Sequence, residues 1–99
     1  VQGLLELANV AYVGAGVMAS AVGMDKITMK VLFAARGLPV APWVGLTGAE
    51  WRADRDAGQQ RALALGLPLF VKPANLGSSV GISKVKSAAA LAAAIDEAL

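Results

Sequence analysis

The sequence contains neither cysteine nor histidine. This excludes disulfide frameworks, thiol nucleophiles, histidine-based catalysis and typical zinc sites within the chain. A lack of cysteine also fits a cytoplasmic protein. Charged residues are only 16% of the 99 residues and the formal net charge is +2. The basic residues Lys26, Lys30, Arg36, Arg52, Arg55, Arg61, Lys72, Lys84 and Lys86 are scattered among acids and apolar runs, forming no basic patch. Nucleic acid is therefore not favoured as a partner. The uncharged run from Leu7 to Met24 approaches the lower limit for a membrane span. Asn9, Tyr12, Gly14, Gly16, Ser20 and Gly23 interrupt it, and buried core elements give runs of similar length, so no membrane span is expected.

What is present is apolar and rich in alanine: 57% of the residues are hydrophobic, with only 5% aromatic. The length is that of one small domain with a modest core. The chain starts at Val1-Gln2 without a methionine and ends at Leu99 on a helical pattern without a stop signal. A portion of a longer chain is the expectation.

Local signals divide the sequence into short elements. Val1 to Ala8 has the spacing of a helix stopped at Asn9, and Val10 to Val13 that of a short strand closed by Gly14-Ala15-Gly16. Val17 to Ala21 resumes an apolar helix. Asp25 can cap a further helix, with Ile27, Val31, Ala34 and Ala35 as its buried stripe and Gly37 as its left-handed stop. Val40 to Leu46 reads as extended. Thr47-Gly-Ala-Glu50 is a capping box opening a helical region that carries Trp51, with the polar stretch Asp54 to Gln60 open to a loop. Ser87 can cap a last helix whose inner face is Ala88, Leu91, Ala92, Ile95 and Leu99, leaving Asp96 and Glu97 outward. Gly37-Leu-Pro-Val40 and Gly66-Leu-Pro-Leu69 both mark a helix end turning toward a strand. The fold class expected is mixed α/β (α+β), with helices packed on one face of a sheet.

The stretch from Leu67 to Lys86 organises the rest. It reads as strand, glycine-serine loop and strand, with Phe70 and Lys72 on one face of the first strand and Leu69 and Val71 on the other. Gly77 and Gly81 bracket the hydroxyls of Ser78 and Ser79. Glycines admit close backbone approach, and free amides beside hydroxyls suit phosphate. The pattern is not a Walker loop, because Gly81 leads into Ile82-Ser83-Lys84-Val85 rather than into a lysine that opens a helix. By itself the pattern leaves two readings open. One is a loop covering a nucleotide; the other is an ordinary hairpin turn with Lys72 as a solvated edge lysine.

Three stretches taken together favour the first. Gln2-Gly-Leu-Leu-Glu-Leu7 with Tyr12-Val-Gly14, then Ser20-Ala-Val-Gly-Met-Asp-Lys26, then Phe70-Val-Lys-Pro73 with Gly77-Ser-Ser-Val-Gly81 resemble the D-alanine–D-alanine ligases, a family of ATP-grasp enzymes. The resemblance runs through essentially the whole chain. It implies the end of a Rossmann-like N-terminal, substrate-side domain at residues 1–24, joined to the first part of an ATP-grasp domain at residues 25–99. It implies ATP-dependent ligation of two D-alanines for peptidoglycan precursors, in the cytoplasm. Lys26 and Lys72 would contact the ATP phosphates, and Gly77, Ser78 and Ser79 would form the loop closing over them. Ser79 would face the phosphate, and Ser78 would join the network anchoring the first D-alanine. Magnesium or manganese would be held by residues outside this stretch, and no metal ligand is assigned within it. Partners would be D-alanine and ATP; an exposed apolar face on the first helix would suit a homodimer. Alternatives are a ligase using D-lactate or D-serine as acceptor, a non-catalytic nucleotide-binding module, and a structural domain with a chance glycine hairpin.

Overall fold

The computed structural model describes residues 1–99, which form two compact units, Val1–Pro39 and Val40–Leu99. The first unit holds three helices: α1 (Gln2–Leu7), α2 (Val17–Met24) and α3 (Lys26–Ala35). α2 packs against both of the others. At the end of α1, Asn9 takes a left-handed φ of 52°. Its N–H donates to the Glu6 carbonyl, and Val10 N–H donates to the Leu5 carbonyl, closing a Schellman motif. Gly37, with φ 70°, closes α3 in the same way, with Gly37 N–H on Ala34 and Leu38 N–H on Phe33. Asp25 caps α3, its Oδ1 accepting from Thr28 N–H at 2.7 Å.

Two expectations fail in this unit. Residues 10–13 form no strand. A strand needs a neighbour for its backbone groups, and here the Val10 N–H is already committed to α1. The stripe expected on α3 is not buried: Ile27 is half-buried while Val31, Ala34 and Ala35 are exposed. None of the three helices buries a residue within these 99 residues.

The second unit is built differently. After an extended segment without strand pairing come α4 (Gly48–Ala53) and α5 (Arg55–Leu63), then strands β1 (Leu69–Val71) and β2 (Ser83–Val85), a short 3-10 turn (Ala88–Ala90) and α6 (Leu91–Ala98). The strands pair antiparallel, Leu69 with Val85, Phe70 with Lys84 and Val71 with Ser83. α6 packs on both strands and on α5. The core is Trp51, Val85, Leu91, Ala94 and Ile95, with Leu46, Ala62, Leu63, Leu69, Val71 and Ala92 packed against it.

The capping box at the start of α4 is complete. Glu50 N–H donates to Thr47 Oγ1 at 3.2 Å and Thr47 N–H donates to Glu50 Oε2 at 2.8 Å. The polar stretch after it is not a loop. Asp54 breaks the helical path, ending α4 and capping α5 through Ala57 N–H at 2.9 Å. Gly58 then lets α5 lie directly on the indole: a Cβ there would sit 2.8 Å from Trp51 Cε3 and 3.5 Å from Leu46 Cδ2. Capping and close approach make a helix where hydrophobic periodicity is absent.

Two details of the last helix also differ from expectation. Ser87 makes no side-chain cap; the 3-10 turn intervenes, and Ala90 N–H donates to the Ser87 carbonyl instead. Leu91 and Ile95 are buried as expected, but the third buried residue is Ala94, while Ala88 and Leu99 are exposed. Asp96 is not a free surface charge. Its Oδ1 accepts from Trp51 Nε1 at 2.7 Å, and its other oxygen pairs with Arg55, whose guanidinium lies 4.7 Å from the indole centroid. These bonds hold its carboxyl below the usual range, the indole N–H contributing most and Arg55 next.

Candidate nucleotide-phosphate site

The hairpin places one candidate group in a single loop. Burial of Leu69, Val71 and Val85 against the core fixes which face of the two strands turns inward. The alternation then puts Phe70 on the opposite face, where it is 57% exposed, and Lys72 follows it directly after β1. Pro73 is buried and anchors the start of the loop. Its other end returns to the same proline, since a Cβ on Gly81 (φ 68°) would lie 2.8 Å from Pro73 Cγ. No other residue type fits that closure without displacing the ring.

Between these points Ser78 and Ser79 both adopt left-handed backbone, with φ 53° and 60°. Consecutive left-handed residues cost conformational energy outside glycine, and such outliers concentrate where a loop must present its groups in one arrangement. The turn is held by Val80 N–H on the Gly77 carbonyl at 3.1 Å and Ile82 N–H on the Ser79 carbonyl at 3.4 Å. Gly77, Ser78 and Ser79 are exposed, and a Cβ on Gly77 would meet nothing within 4 Å. The loop thus offers two hydroxyls and an unobstructed glycine backbone to an incoming group.

Lys72, Gly77, Ser78 and Ser79 therefore share one loop of the second unit. Lys26 belongs to the first unit, as the opening residue of α3. Lys84 went unnoticed in the sequence; only the strand register puts it opposite Phe70. Its Nζ lies 5.7 Å from the Phe70 ring centroid and that of Lys72 6.0 Å. The loop's lysine, hydroxyls and open backbone fit the anionic oxygens of a polyphosphate. No group of three or more acidic side chains comes together within these residues. No helix is long and apolar enough to cross a membrane.

A family model described as D-ala D-ala ligase C-terminus matches residues 32–99. D-alanine–D-alanine ligase of Paenarthrobacter aurescens (strain TC1) is 60% identical over 98 residues, which are 99% of this chain and 26% of that protein. D-alanine–D-alanine ligase A of Bradyrhizobium diazoefficiens is 58% identical over 99 residues, again 99% of this chain and 26% of the relative. Among solved structures, D-alanyl-alanine synthetase A from Vibrio cholerae superposes with a TM-score of 0.86 at 38% identity, covering 98% of this chain and 28% of that one. The ligase from Coxiella burnetii gives 0.84 at 42% identity, covering 98% and 27%. The helices and small sheet are thus those of this group of ligases, and the chain spans about a quarter of the length of the relatives it matches. With sequence, family model and fold in agreement, the chain belongs to the D-alanine–D-alanine ligase family.

Proposed function

We propose that this chain is the segment of an ATP-dependent ligase that holds the nucleotide phosphates while two D-alanines are joined to D-alanyl-D-alanine for peptidoglycan precursors. The observation that carries the reading is the loop itself: Lys72 at its base and two left-handed serines at its tip, pinned at both ends on Pro73. In this reading residues 1–24 close a Rossmann-like substrate-side domain and residues 25–99 open the ATP-grasp domain. The protein acts in the cytoplasm, and a homodimer is compatible with the exposed apolar helix faces.

ATP supplies the phosphoryl group that activates the first D-alanine. Its carboxylate oxygen bonds to the γ-phosphorus as ADP leaves. The amine of the second D-alanine then attacks the acylphosphate carbon, losing a proton as phosphate departs. The residues of this segment gather positive charge and donors where negative charge concentrates. Lys72 and Lys26 contribute ammonium groups, and Gly77 and Ser79 donate to phosphate oxygens. Ser78 hydrogen-bonds in the network that orients the first D-alanine. Such preorganised donors stabilise the transition state without reorganisation. A divalent metal, magnesium or manganese, would take its ligands from the remainder of the protein and add positive charge at the phosphates.

The test is dipeptide synthesis by the full-length protein carrying this segment, measured as D-alanyl-D-alanine, ADP and phosphate formed in equal amounts. Lys72→Ala should lower kcat/KM by about 100-fold or more, the loss typical of a transition-state donor. Absence of dipeptide from the unaltered protein, or full activity in the variant, overturns the reading. Offering D-lactate and D-serine beside D-alanine identifies the acceptor by product. ATP binding without any condensation would identify a nucleotide-binding module instead.

A further inference from the structure

Two ammonium groups lie near one ring on the open face of the hairpin. Antiparallel pairing sets Lys84 directly across from Phe70, and Lys72 follows Phe70 on the same face. Their Nζ atoms stand 5.7 and 6.0 Å from the Phe70 centroid. Within this segment the ion pairs are Arg55–Asp96 and Arg61–Glu50, both at its helices, and neither includes Lys72 or Lys84. Behind the ring the other face of the strands is closed by the core, so the positive field points outward.

Two like charges held beside one aromatic face repel each other, and weak contact with the ring does not offset that. Opposite charges across a strand stabilise each other, but the residue across from Lys84 is Phe70. The arrangement suits an anion large enough to touch both ammonium groups, and a nucleotide polyphosphate has the charge and the length. We propose that Lys84 is a second positioning cation for the nucleotide, acting from the return strand as Lys72 acts from the outgoing one. This rests on the ATP-dependent reading above. It adds a residue outside the glycine-serine loop, and makes the pairing register of the hairpin part of nucleotide recognition. A one-residue slip would turn Lys84 to the core face and remove it.

The experiment is steady-state kinetics of the full-length protein with ATP and D-alanine varied separately, for Lys84→Gln, Lys84→Glu, Lys84→Arg and Lys72→Gln. Lys84→Gln should raise KM for ATP about three- to tenfold, the scale of one partly exposed charge contact, with KM for D-alanine unmoved. Lys84→Glu should raise it further, and Lys84→Arg should restore most of the loss. KM for ATP should also rise less steeply with added salt in Lys84→Gln than in the unaltered protein. A merely structural strand lysine would not give this charge order or this salt response. If KM for ATP is unchanged in Lys84→Gln and Lys84→Glu while Lys72→Gln is impaired, Lys84 is a solvated lysine and the inference fails, leaving the ligase reading intact. If Lys72→Gln is also unaffected, the nucleotide reading itself fails.

Discussion

Each unit of the chain starts a helix with a side-chain cap, and the two units end with opposite degrees of burial. Asp25 caps α3 and Thr47 caps α4, each by a side-chain oxygen accepting from the N3 amide. Yet no residue of α1, α2 or α3 is buried, whereas the second unit encloses Trp51 at 3% exposure and Leu91 at 0%. Caps decide where a helix begins; they do not decide whether its apolar face has anything to pack on. Most helical stability in a protein comes from the second condition.

The sharpest test of that contrast is truncation of a large side chain in each unit. Trp51→Ala should destabilise the 99-residue chain by about 3–5 kcal/mol in urea unfolding, as loss of a buried aromatic does. Phe33→Ala, on a side chain 41% exposed, should stay within about 0.5 kcal/mol. Equal losses would show that the first unit has a core of comparable worth. The next effect concerns Gly58. Alanine is the better helix former, but its Cβ would lie 2.8 and 3.1 Å from two carbons of the rigid indole. Gly58→Ala should therefore cost about 1–3 kcal/mol by overpacking. A gain in stability would mean that α5 does not bear on Trp51. Smaller again, Thr47→Ala should cost about 1 kcal/mol by removing the cap of α4, measured by thermal unfolding.

The weakest effect is a pH dependence peculiar to the second unit. The carboxyl of Asp96 is held below its ordinary value by Trp51 Nε1–H first and Arg55 second. A depressed folded value means that its stabilisation is fully present above the ordinary carboxylate range, about pH 4, and is lost as pH falls through the lower folded value. Asp96→Asn should narrow the difference in unfolding midpoint between pH 7 and pH 3. An unchanged difference would remove Asp96 as the source. Because both partners of the Arg55–Asp96 pair are about half exposed, most of its attraction is screened.

How legible each feature was follows the range of the interaction behind it. The Asp25–Thr28 and Thr47–Glu50 caps and the Gly37 stop involve residues three to five apart and were readable. The strand expected at residues 10–13 was not, because strand pairing depends on a partner distant in sequence. The helical state of Asp54–Gln60, which the sequence left open to a loop, rests on the Asp54 cap and on Gly58 against an indole, a steric fit rather than a hydrophobic period. Asp96 read as surface charge because its partners are 41 and 45 positions away. Within the candidate site, the glycines, serines and Lys72 stand close together in the sequence and were visible there. Lys84 was not, since its place depends on how the strands align.

By itself, then, the order of residues determined the helix boundaries set by local caps, the strand-loop-strand path and the family to which the chain belongs, because each rests on nearby residues or on their pattern. Only the tertiary structure decided which faces are buried, that Asp96 joins α6 to α4 and α5, and that Lys72 and Lys84 both lie near the Phe70 ring. Those outcomes depend on which distant surfaces meet, and a chain of side chains carries no distance until it is folded.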